Sequence, residues 1–130
     1  MYADRPNIML YVTDLPRSVA FYSDVLGFGF KGYWHDEESR VTMDWEDAGE
    51  PTYCEVQVEG GSIGLHVDDD FAMERPPVEM RIEVDDANAI YERFVEHGAE
   101  PSEPQEMPWG EVMFSLTDPD GHVWNFFERV

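Results

Sequence analysis

"VTDLPRSVAFYSDVLGF", residues 12 to 28, and "VDDANAIYERFVEHGAE", residues 84 to 100, state one pattern twice. Each begins at the end of a strand (Val12, Val84). Each then offers an aspartate (Asp14, Asp86) whose short carboxylate can accept from the unpaired N–H groups at a helix start. Each runs on through a helix to a glycine (Gly27, Gly98) suited to the left-handed residue that ends one. Pro16 is tolerated because a first-turn N–H has no helical partner to lose. In the second copy Ala87, Ile90, Tyr91, Phe94 and Val95 recur at i, i+3, i+4, i+7 and i+8, which makes one helix face apolar. That face must cover a sheet.

The flanking segments supply it. In "NIMLYV", residues 7 to 12, Ile8, Leu10 and Val12 alternate with Asn7, Met9 and Tyr11. In "EMRIEV", residues 79 to 84, Met80, Ile82 and Val84 alternate with Glu79, Arg81 and Glu83, so both strands are two-faced. Further strands are predicted around 28–35, 40–46, 53–59 and 62–68 in the first half, and around 110–117 and 122–129 in the second. "EGGS" (59–62) and "DPDG" (118–121) read as hairpin turns, "DDDFAMERPP" (68–77) as a linker between the halves, and "DAGEP" (47–51) as a loop. The predicted fold is α+β: tandem βαβββ modules, about 5–69 and 78–130, forming a curved mixed sheet with helices on its outer face. All 130 residues are read as one domain. The sheet's second face is then left to bind something, to pair, or to form a cavity.

Composition narrows the partners. Hydrophobic content of 42% and aromatic content of 14% are those of a folding chain. The 29 acidic and 8 basic residues give a formal charge of −21. A surface so negative repels phosphate backbones and anionic lipid, which argues against nucleic-acid and membrane partners. Two readings of the acidity stay open: a solvated shell adapted to high salt, and attraction of a cationic ligand. The N-terminal stretch lacks a basic start with an apolar core, and no later run is long enough to cross a bilayer, so a soluble cytoplasmic protein is expected. Cys54, the single cysteine, has no disulfide partner within the chain and is read as a small buried apolar residue.

The two quoted motifs, together with "PWGEVMFSLTDPDGHVWNF" (108–126), resemble the vicinal-oxygen-chelate superfamily of glyoxalase I, bleomycin-resistance proteins, fosfomycin-resistance enzymes and ring-cleaving dioxygenases. The duplicated layout extends this resemblance over essentially the whole chain. Metal enzymes of the superfamily place His on the first strand of each half and Glu on the final strand. Those positions fall here on Asn7, Glu79 and Asn125, and the remaining one lies in "SIGLHV" (62–67), at His66 if the register is favourable. Amides offer a divalent cation only weak carbonyl donors, so no metal and no cofactor are expected. His66 is otherwise read as a strand histidine satisfied by hydrogen bonds, and His35, His97 and His122 as surface residues.

The resemblance is nearest to the metal-free, bleomycin-resistance-like branch. There a cavity between two subunits sequesters a drug unchanged, and the tryptophan of "PWG" lies against the drug's flat rings. Carried over, this implies a homodimer binding a small molecule, with a cationic aromatic antibiotic as the suggested ligand, and a site at Trp109 and Gly110. If Asn125 faces that cavity, alternation adds Val123 and Phe127 and joins them to Asn7, Met9, Tyr11, Glu79, Arg81 and Glu83. Trp124 and Phe126 should face the helix. The rival implied by the same resemblance is a metal-dependent lyase, isomerase or dioxygenase using His66 and Glu79.

Overall fold

The structure is a computed structural model and describes residues 8–68 and 79–130. Most of the expected linker lies outside these residues. The chain divides into two compact units, residues 1–71 and 72–130.

In the first unit β1 (Ile8–Val12) leads into α1 (Leu15–Val19), which widens into π-helical turns at Ala20–Val25. There follow β2 (Gly29–His35), β3 (Arg40–Thr42), a 3₁₀ turn at Glu46–Ala48, β4 (Tyr53–Val58) and β5 (Gly61–Val67). The strands are ordered β1-β5-β4-β2-β3, with β1 parallel to β5 and the other pairs antiparallel. The helix start is the one read from the sequence: the Asp14 side chain accepts from the Arg17 N–H at 3.1 Å. Gly27 ends the helical stretch at φ 81°. Leu10, Val12, Cys54, Val56, Ile63 and Leu65 are buried, and α1 packs against β4 and β5. A bulge between Phe30 and Gly32 inserts Lys31 into β2, which brings Phe30 and Tyr33 to one face, with ring centroids 4.9 Å apart.

The second unit runs β6 (Glu79–Glu83), α2 (Ala87–Glu96), β7 (Gln105–Met107), β8 (Glu111–Thr117) and β9 (Val123–Arg129). Its strand order is β6-β9-β8-β7, again with the first strand parallel to the last. Asp86 caps α2 by accepting from the Ala89 N–H at 3.1 Å, and Gly98 follows its end at φ 83°. Under the helix Phe94, Phe114 and Phe126 form one ring cluster with centroid separations of 4.9 to 5.8 Å, and Trp124 is 2% exposed. Trp124 and Phe126 therefore take the helix side as expected.

The α+β reading holds, with a strand–helix–strands order in each half, βαββββ in the first and βαβββ in the second, laid out as two hydrogen-bonded mixed sheets with a helix packed on each. Five details differ from expectation. The short β7 was not foreseen, because "QEM" has no apolar alternation. β3 stops at Thr42, since the following residues turn into the 3₁₀ segment. Val95 is 48% exposed, at the margin of the α2 face. His122 is buried, not a surface residue: its Nδ1 lies 2.8 Å from Asp118 Oδ2, while Asp118 Oδ1 accepts from the His122 and Asp120 N–H groups. His35 is also largely covered, with its Nδ1 accepting from the Glu38 N–H at 3.1 Å. Among the described residues no helix is long and apolar enough to cross a membrane.

Candidate functional site

Strand alternation gives each sheet one face turned away from its helix. On the first sheet that face carries Met9 and Tyr11 of β1, Gly64 and His66 of β5, and Tyr53 and Glu55 of β4. Met9 and Tyr11 are about half exposed. Gly64 makes room here: a Cβ would meet the Tyr53 ring at 2.9 Å and the end of the Met9 side chain at 3.0 Å, so one or both would have to shift. Its absence lets both close over the strand. The register puts His66 beside Tyr11, with ring centroids 6.0 Å apart, and His66 Nδ1 donates to the Val67 carbonyl at 2.8 Å. The histidine is thus on the open face with one nitrogen already bonded to backbone. Trp34 shares this face opposite Val41, whereas Trp45 packs edge-on against the buried Tyr33 on the other side.

Burial sets the titration of the groups around this sheet. It pushes the Cys54 thiol up to about 12, so the side chain is inert and neutral, as the apolar reading requires. Burial first, and then the neighbouring Glu55 carboxylate, raise the Tyr53 phenol.

The second sheet holds most of the expected site residues. Register pairs Glu79 with Val123, Arg81 with Asn125 and Glu83 with Phe127, so all six share the open face. β8 adds Met113 and Ser115, and a depression of about 230 Å³ is lined there by Gln105, Met107, Met113, Ser115 and Asn125. Polar side chains on this face are wired together. Asn125 Nδ2 donates to Glu79 Oε2 at 2.8 Å. Arg81 reaches across β9 to Glu111 Oε1 at 2.7 Å, its guanidinium carbon 4.1 Å from the Phe127 ring centroid. Trp109, 64% exposed in the turn before β8, donates its indole N–H to the same Oε1 at 2.7 Å. Gly110 has φ 88°, a turn conformation that disfavours side chains. Arg129 Nε stands 3.5 Å from Glu83.

One expectation changes in detail. Phe127 faces the open side but is buried beneath Arg81, so it supports the guanidinium and is not an open floor. Asn7 lies outside the described residues. Sequence reasoning missed Glu111; its one signal was a carboxylate two residues after Trp109 on the side of the strand shared with Met113.

A divalent cation needs several carboxylate or imidazole donors converging on one point. Among the described residues no three His, Cys, Asp or Glu side chains do so. At the ligand positions of β6 and β9 stands one carboxylate already hydrogen-bonded by an amide, Glu79 with Asn125. The described residues do not supply the donor set of a bound metal. Of the rival pair, His66 sits on β5 and Glu79 on β6.

With this arrangement in hand, the family model of the Glyoxalase/Bleomycin resistance protein/Dioxygenase superfamily matches residues 6–126. The chain belongs to that superfamily. No curated protein matches it. Among solved structures it is similar to a glyoxalase family protein from Enterococcus faecalis, at 16% identity and TM-score 0.73 over 98% of each chain. It is also similar to a bleomycin resistance determinant encoded on the transposon Tn5, at 18% identity and TM-score 0.71 over 98% of each chain. An antibiotic binding protein from Streptomyces sp. CB03234 matches at 22% identity and TM-score 0.64 over 100% of each chain. At such identities the likeness to these structures is one of fold.

Proposed function

We propose that this superfamily member is a small-molecule binding protein that sequesters a flat, cationic aromatic compound, of the kind represented by glycopeptide antibiotics, without changing it. The observation that carries this reading is the open face of the second sheet. An exposed indole at Trp109 stands there beside fixed polar groups, and an amide–carboxylate pair stands where metal donors would be needed. Aromatic faces beside carboxylates attract planar cations through stacking and cation–π interaction, and the charge of −21 favours their approach. The superfamily and its solved neighbours, which include a bleomycin resistance determinant and an antibiotic binding protein, support a binding role. The protein acts as a homodimer in the cytoplasm and assigns no side chain to a chemical step. Its two modules work as one ligand-binding domain.

Titration with bleomycin tests the reading. Tryptophan fluorescence should be quenched with saturation, and Trp109→Ala should weaken binding by about 1 to 3 kcal/mol, the scale of losing an aromatic anchor. A ligand drawn by charge should also associate more slowly as ionic strength rises. Absence of saturable quenching at every salt concentration, or unchanged affinity in Trp109→Ala, overturns the assignment.

A further inference from the structure

Trp109 is more exposed than Trp34 or Trp45, yet its only hydrogen-bond donor is already in use. The acceptor is Glu111, a residue 8% exposed whose single oxygen Oε1 receives both the Trp109 indole N–H and an Arg81 guanidinium N–H, each at 2.7 Å. A carboxylate this deeply covered would be costly without such partners, so the two contacts and its burial depend on one another. The Arg81 guanidinium in turn lies over the Phe127 ring, its central carbon 4.1 Å from the centroid, with that of Arg129 5.7 Å from the same centroid. Four residues from β6, β8, β9 and the turn before β8 therefore form one chain, with Glu111 at its centre.

We infer that Glu111 is a positioning residue: it locks the Trp109 indole and the Arg81 guanidinium in place, so that the site meets its ligand with preset flat surfaces. This rests on the ligand-binding reading of the same face and deepens it. Because the indole N–H is satisfied internally, Trp109 offers a ligand its ring face and no donor. The half-exposed Arg81 guanidinium, already bonded at one edge and covered on one side, offers its remaining face. The chemical class selected is a planar conjugated ring system recognised by stacking, and an acceptor group aimed at the indole nitrogen adds nothing. A preset ring also loses little side-chain freedom when the ligand arrives.

The indole N–H signals of the full ¹⁵N-labelled chain test this, with Trp109 assigned through Trp109→Phe. Although its ring is exposed, the Trp109 N–H should exchange with water about tenfold more slowly than a free indole, the effect of one retained hydrogen bond. Glu111→Leu should abolish that protection and weaken bleomycin binding about tenfold, while Glu111→Gln, whose amide oxygen still accepts, should stay within about threefold of the parent in both. Free-indole exchange in the parent, or full protection in Glu111→Leu, overturns the inference. Should Glu111→Leu not fold, the parent and Glu111→Gln still decide it. If the exchange rates follow expectation while no form binds bleomycin, the positioning role stands and the ligand assignment falls.

Discussion

Asn125 is the residue on which the chemistry turns. An amide flanked in its strand by Val123, Trp124, Phe126 and Phe127 is polar within an apolar run. Its partner explains it: Asn125 donates to Glu79 on the neighbouring parallel strand, fixing the carboxylate on the open face. An amide here leaves the β6 and β9 ligand positions with one carboxylate between them, where a metal site needs several carboxylate or imidazole donors. Purified protein should thus carry less than about one tenth of an equivalent of zinc, nickel, iron or manganese by elemental analysis. A value near one equivalent that disappears in His66→Ala would establish the metal-dependent rival. Asn125 could be found from the sequence because the superfamily resemblance puts a ligand position on the final strand, four residues after the DPDG glycine. Glu111 could not, since its role depends on Arg81 crossing a strand, and no local pattern records a contact 30 residues away.

At the scale of elements, local rules carried most of the fold. The caps at Asp14 and Asp86, the terminating glycines and the two-faced strands each follow from short-range chemistry, and each was legible. What escaped depends on neighbours. β7 exists because "QEM" lies along β8, with Gln105 opposite Met113 and Met107 opposite Glu111, and not because of any pattern of its own. His122 is buried because the Asp118 carboxylate holds the turn from inside, a fact that turn propensity does not contain. The packing of α2 on β8 and β9 gives a clean contrast between the tryptophans. Trp124 is enclosed beside the Phe94, Phe114 and Phe126 cluster, so Trp124→Ala should destabilise the protein by about 3 to 5 kcal/mol in denaturant unfolding, through lost burial and a cavity. Trp109→Ala, at an exposed turn, should cost only about 1 to 2 kcal/mol by the same measurement, through the loss of one of the two donors to the Glu111 carboxylate. Equal losses would contradict the division of these residues between core and site.

For the whole molecule the charge of −21 and the open sheet faces act against each other in assembly. Met9, Tyr11, Trp34 and Val41 leave substantial apolar surface on the first sheet, and a chain of this size gains stability by covering such surface with a second copy. A twofold pairing is the economical solution, because one self-complementary patch then satisfies both chains. Bringing together two chains of −21 each opposes it through long-range repulsion that is strong at low ionic strength. The Debye length shrinks from about 30 Å at 0.01 M salt to about 3 Å at 1 M, so the repulsion fades while apolar burial persists. Sedimentation at micromolar concentration should therefore show a homodimer at moderate salt, with a dissociation constant that falls as salt rises. An interface dominated by ion pairs would weaken with salt instead. A monomer at every salt concentration would remove the dimer from the proposed function, and with it any cavity shared between two copies. Ligand linkage supplies an independent check: if bleomycin binds only the dimer, adding it should shift the monomer–dimer equilibrium toward the dimer by mass action, and Trp109→Ala should abolish that shift while leaving the salt dependence unchanged.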